Sequence, residues 1–116
     1  MAETPTCNWI GESGTSYHYF VHPLPANFKP DQPGNYIFAK LNAENRWLPI
    51  YIGQGDLGDR VTGNHHQWDC IRRKGATHVH VHTNSTESAR RSEEIDLLKH
   101  YTNAYTPIGC NEKEGG

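Results

Sequence analysis

Three groups of residues in this 116-residue chain have types and spacings that could do chemistry. The first is a carboxylate on an apolar stripe. In "NSTESARRSEEIDLLKHY" Leu97, Leu98 and Tyr101 mark the stripe, and Glu94 precedes them by three, four and seven positions, so it points into the stripe's middle. Glu93 shares only Leu97. A carboxylate on a buried face is costly unless a cation or strong donors offset its desolvation, which leaves a structural salt bridge or a metal ligand. The second group lies in "PIYIGQGDLGDR" (49–60), which begins like a buried strand, breaks at glycine and sets Arg60 one turn into a helix. Taken singly, Tyr51 there is a half-buried strand aromatic. The third is "HVHVH", whose His78, His80 and His82 fall on one face of a strand, a spacing that can chelate zinc or copper. No cysteine or carboxylate adjoins them in sequence, so a polar sheet face meeting phosphate, with His80 as the contact, is the preferred reading. "IRRKG" (71–75) adds the only dense basic cluster, in which Arg72, Arg73 and Lys74 form either a solvated loop or a backbone-phosphate contact.

Composition narrows the context for that chemistry. A net charge of -2 withholds the usual electrostatic evidence for nucleic-acid binding, so any such role must rest on local groups. Hydrophobic content of 34% with a mean hydropathy of -0.81 predicts a small core in which aromatics supply much of the buried area. No apolar run suits a signal peptide or a membrane span, which predicts a cytoplasmic protein with no membrane partner. Cys7, Cys70 and Cys110 lie far apart with no CxxC pair, a pattern that predicts free thiols in a reducing compartment.

The elements that must position these groups can be read in order. Residues 1–33 hold five of the seven prolines (Pro5, Pro23, Pro25, Pro30, Pro33) and one alternating stretch, "SYHYFVHPL", which predicts an N-terminal hairpin turning at Gly11 to Gly14. "GNYIFAKL" (34–41) and "WLPIYIG" (47–53) make a second hairpin around the polar turn "NAENR". A short helix capped by Asp56 follows, then the strand "THVHVHT" (77–83), then a helix over about 85–101 with Asn84 and Glu87 at capping-box spacing. The expected fold is α+β, a small antiparallel sheet flanked by helices. Residues 1–33 form an extension packed on a domain spanning 34–111, and 112–116 a disordered tail.

G-N-Y, then Y-I-G, then Arg60, then a histidine pair, then Glu94 in "EEIDLL", then Asn111 in "YTPIGCN" resembles the GIY-YIG nuclease family over residues 34–111. The resemblance implies a β-β-α-β-α core, preceded here by the N-terminal hairpin. It also implies a metal-dependent endonuclease hydrolysing DNA phosphodiester bonds. On that pattern Glu94 holds a single Mg²⁺, for which Mn²⁺ can substitute, and Arg60 meets the scissile phosphate. Tyr36 and Tyr51 line the water's side of the site, while Gly53 and Asn111 are structural there. Three departures stand out. Asn35 occupies a usually apolar position, which predicts that it meets solvent or a polar loop. The gap from Tyr36 to Tyr51 is long, which predicts an enlarged turn over "NAENRWLP". Asn64 stands where a histidine often follows the arginine, and an extra residue near Gly63 would restore His65 rather than His66 to that role. A chain without a separate DNA-binding module would have weak specificity, or take it from a partner or from homodimerisation. A non-catalytic GIY-YIG-like domain binding nucleic acid or protein is the alternative function, and a histidine-rich metal-binding domain the third.

Overall fold

The computed structural model describes residues 4–112. Five strands form one antiparallel sheet: β1 (Thr6–Ile10), β2 (Ser16–Pro23), β3 (Pro33–Leu41), β4 (Trp47–Asp56) and β5 (His78–Thr83), in the spatial order β1-β2-β5-β3-β4. The helices are α1 (Leu57–Arg60), α2 (Trp68–Arg73) and α3 (Glu87–His100), followed by a 3₁₀ turn at Thr102–Ala104. The architecture is α+β, and the N-terminal hairpin belongs to the sheet itself because β2 pairs with β5.

Strand alternation divides the core into two layers. On one face Tyr36, Phe38, Tyr51, Val79 and Val81 pack with Leu57 and Val61 from the α1 region and Ile71 of α2. On the other, Ile37, Ala39 and Ile52 pack with Trp9, Tyr19 and the Leu97 and Leu98 of α3. The buried stripe of α3 is longer than its leucines suggest: Arg90, Glu93, Glu94, Leu97 and Leu98 are all buried. Glu93 therefore does not stay off that face. It accepts hydrogen bonds from Tyr19 Oη and from His82 Nε2, the latter at 2.6 Å, and these partners offset its desolvation.

Several sequence expectations are corrected. The short helix expected from Asp56 forms as α1 with that residue as its cap, and a second helix, α2, which was not expected, follows after Gly63. "IRRKG" is the C-terminal turn of α2 rather than a loop, with Lys74 as C-cap. Only residues 42–46 turn between β3 and β4. Trp47 to Pro49 pair with Leu41 to Ala39, and a bulge at Phe38/Ala39 takes up the extra residue. The Asn84–Glu87 capping box does not form: Thr86 is the N-cap of α3, and Asn84 Oδ1 accepts from the Thr86 N–H at 3.0 Å. Asn35 meets neither solvent nor a loop, since it is buried beneath α3 and donates through Nδ2 to the Arg90 carbonyl at 3.0 Å.

Cys70 and Cys110 are not free thiols but a disulfide, with Cα atoms 5.9 Å apart. The fold closes a sequence separation of 40 that spacing alone made unpromising, and the reducing-compartment argument loses its basis. Cys7 is a free thiol. Among the described residues, no helix is long and apolar enough to cross a membrane. The tail expected over 112–116 lies outside the described residues except for Glu112, whose carboxylate accepts from Gln67 Nε2.

Candidate active site

The end of β4 lies at one edge of the sheet, where α1 continues the chain and α3 crosses behind it. There Tyr36 from β3, Tyr51 and Gln54 from β4, Arg60 from α1, and Arg91 and Glu94 from α3 line one cavity of about 100 Å³, almost wholly polar. Gly53 of β4 lines it too, and five of these seven residues were expected together from the sequence.

Two glycines make the convergence possible. Tyr36 sits directly across from Gly53, and a Cβ at Gly53 would lie 2.5 Å from the Tyr36 hydroxyl oxygen and 2.9 Å from Tyr51 Cε1. The missing side chain lets the two phenol rings stack, with centroids 6.1 Å apart and planes at 13°. Gly55 has φ +145°, which other residues rarely adopt, and a Cβ there would come within 2.9 Å of Arg60 Nε. The arginine side chain thus lies along bare backbone.

The supporting contacts fix each element. Asp56 accepts from Asp59 N–H at 3.3 Å as the N-cap of α1 and from Gln32 N–H at 2.6 Å, which ties the helix to the segment before β3. Asn111 accepts from Ile52 N–H at 2.8 Å and donates to Ile52 C=O at 2.9 Å, standing in for a neighbouring strand at the β4 edge. Arg90 donates to Gln54 Oε1 at 3.0 Å and to Asn84 C=O at 2.8 Å, joining α3 to the end of β4.

The electrostatics are those of a site held ready for charge. Glu94 is 2% exposed, and burial pushes its pKa up to about 7 against the lowering pull of Arg91 and Arg60. Its Oε1 has no hydrogen-bond partner among the described residues. Burial also raises Tyr51 to about 12 and Tyr36 well above the usual phenol value, while Arg60 pulls both down. No hydrogen bond or ion pair among the described residues engages the Arg60 guanidinium, so its donors are available to a ligand.

His65 comes to this group from the loop after α1. Its Nδ1 accepts from the Gln67 N–H at 3.0 Å, and burial holds its pKa down at about 4. The ring is therefore neutral at pH 7 with its proton on Nε2, and Nε2 lies 2.8 Å from the Tyr36 hydroxyl. His65 thus donates to the Tyr36 oxygen, while burial keeps that phenol protonated at pH 7. His66 makes the weaker approach, 3.4 Å from the Tyr51 hydroxyl.

The histidine strand does not join the site. His80 is buried, accepts from Trp9 Nε1 at 2.9 Å, and has Trp47 edge-on at 4.5 Å, so it is not offered to phosphate. α3, Trp9 and Trp47 cover the face that was read as polar. His78 bonds Thr77 and His82 bonds Glu93, so each of the three rings has its own partner. Arg72 and Arg73 are exposed at the end of α2, and Lys74 donates to the Pro107 carbonyl; none of them lines the cavity. Gln54 and Arg91 were missed. Arg91 had a signal, since three positions before Glu94 on a helix puts it on a neighbouring face. Gln54, next after "YIG", had none.

No protein-family model, curated protein or solved structure matches the chain.

Proposed function

We propose that this chain is a metal-dependent endonuclease of the GIY-YIG type that hydrolyses DNA phosphodiester bonds. The observation that carries the reading is the meeting of Tyr36, Tyr51, Arg60 and Glu94, from four separate elements, around one polar cavity. Residues 34–111 then form the nuclease core, with Gly53 and Asn111 in its framework.

The donor set fits a divalent cation. Glu94 Oε1 is a buried carboxylate oxygen without a protein partner among the described residues, and no group of three or more metal-ligating side chains is found among them. A single carboxylate suits Mg²⁺, which keeps several waters, and Mn²⁺ shares its preference for oxygen. When bound, the ion supplies Lewis acidity toward a phosphoryl oxygen and a more acidic water.

The chain's own residues bind and orient. Hydrolysis breaks one P–O ester bond, forms a P–OH bond from water, and moves the water's other proton to the leaving oxygen. The Arg60 fork holds two phosphoryl oxygens as their charge grows. Tyr51, the less perturbed phenol, stands on the water's side and passes the proton through its oxygen. Tyr36 backs it, and the Nε2–H of His65 holds the Tyr36 oxygen in place. Arg91 adds positive charge on the α3 side of the cavity.

The test is nicking of supercoiled plasmid with Mg²⁺ or Mn²⁺, with wild type beside Glu94→Ala and Arg60→Ala. Metal-dependent nicking, reduced about 10²-fold or more by either substitution, is expected. Wild-type protein that cuts neither plasmid nor single-stranded, branched or RNA substrates would turn the assignment to a non-catalytic binding domain.

A further inference from the structure

A second concavity is lined by the residues that follow Arg60, and its walls come from both parts of the chain. Leu24 to Asn27, from the connection between β2 and β3, face Val61, Thr62 and Gly63 across a cavity of about 120 Å³, with Phe38 and Trp68 also lining it. Val61 follows Arg60 directly, so consecutive Cα spacing sets this wall about 4–11 Å along the chain from Arg60. That is within reach of a nucleotide whose phosphate lies at the guanidinium.

The lining suits a flat heteroaromatic ring. Leu24, Ala26 and Val61 supply apolar walls and Trp68 an indole. The Trp68 Nε1–H makes no hydrogen bond among the described residues, although such donors usually find an acceptor when partly buried. Gly63 leaves that edge open, since even a Cβ there would lie 3.7 Å from Nε1. The exposed Asn27 amide, likewise unpaired among the described residues, adds a donor and an acceptor at the rim. A ring carrying a carbonyl acceptor, about the size of one nucleobase, meets these requirements. Charge points the same way: with a net charge of -2, affinity drawn from wrapping phosphates is limited, and base contacts are the salt-insensitive source left.

We propose that this cavity takes one unpaired nucleobase of the strand being cut, so that the preferred substrate is DNA with a bulged, mismatched or single-stranded nucleotide beside the scissile phosphate. The proposal rests on the nuclease reading for its placement of that phosphate at Arg60. Unpairing a base from intact duplex costs a few kcal/mol that an already unpaired base is spared, which is the source of the preference.

The experiment measures binding apart from cutting. Wild-type protein in EDTA is titrated against two otherwise identical duplexes, one fully paired and one with a single bulged thymine, whose ring carries carbonyl acceptors. Tighter binding of the bulged duplex by about tenfold or more is expected, persisting as salt is raised. Ala26→Trp fills the cavity and should erase the preference without changing affinity for paired DNA. Trp68→Phe, which keeps a ring but removes the N–H, should reduce it several-fold and serves if Ala26→Trp does not fold. Equal affinity for the two duplexes, no DNA binding, or a preference that survives both substitutions would overturn the proposal. Plasmid nicking with Mg²⁺ is scored separately: cutting without the bulge preference sinks this inference alone, and a bulge preference without cutting sinks only the nuclease reading.

Discussion

Replacing Glu94 with glutamine should make the protein more stable at pH 8 while abolishing its activity. The folded state holds this carboxyl at a pKa of about 7, against an ordinary value of 4.5, chiefly through burial. Below pH 4.5 the group is protonated whether the chain is folded or not, and it contributes nothing to the pH dependence. As pH rises from 4.5 to 7 the unfolded chain ionises first, and stability falls until the folded group ionises too. At about 1.4 kcal/mol for each pH unit the loss approaches about 3 kcal/mol, and screening by water at the cavity's open side brings it to about 1–3 kcal/mol. Glutamine removes that loss. For a chain of this size the gain corresponds to a rise in Tm of about 4–15 °C at pH 8 and little at pH 4. Wild type alone would give a composite profile, because His65 and His80, both held near pKa 4 chiefly by burial, lose stability as pH falls through the same range. The difference between wild type and Glu94→Gln, measured by thermal denaturation across pH 4–8, isolates the carboxylate. Added Mg²⁺ should raise Tm for wild type only, since a ligand that binds the folded state stabilises it. A Glu94→Gln variant less stable than wild type at pH 8, or equally stabilised at pH 4 and pH 8, would refute the reasoning.

Gly53→Ala places a methyl group against the Tyr36 hydroxyl, so nicking should fall about 10²-fold while far-ultraviolet circular dichroism stays native; unchanged nicking would mean that the phenol's position does not matter. Asn111→Ala removes both hydrogen bonds to Ile52 and leaves a buried N–H and C=O unpaired, so denaturant melts should show a loss of about 2–4 kcal/mol. Cys110→Ser opens the covalent loop closed across a sequence separation of 40, and the chain-entropy relation gives a loss of about 4 kcal/mol, to be read against wild type under oxidising conditions and matched by wild type in reductant.

How much of this was legible in the sequence depended on whether the deciding interaction was local. Glu94 could be assigned to the buried face because its three stripe partners lie within seven residues on one helix. Tyr36, Tyr51 and Arg60 could be ordered because strand, glycine break and helix start each leave a local signal. Glu93, Asn35 and His80 were misjudged for the opposite reason. Their burial comes from Tyr19, the Arg90 carbonyl and the two tryptophans, all distant in sequence, and nothing in the pattern around them says which face of the sheet α3 will cover. α2 escaped notice because six residues without a side-chain N-cap carry too little periodicity. The disulfide escaped because two cysteines in separate elements look alike whether paired or free.

The Asn111 clamp governs how copies of this chain could add to one another's sheets. Its amide occupies the hydrogen-bonding edge of β4 at Ile52, and the Cys110 N–H takes the Ile50 carbonyl at 2.8 Å. An incoming strand is shut out there. The opposite margin, β1, pairs among the described residues only with β2, and Ile10 on it is 47% exposed. Growth by strand addition would therefore join β1 to β1, giving ten strands in a row with a cavity at each far end. At about 4.8 Å per strand the two cavities would sit roughly 40 Å apart along the sheet, too distant for both to act on one phosphate pair across a duplex. Any such assembly would be a two-handed one, with its two cavities engaging separate ligands.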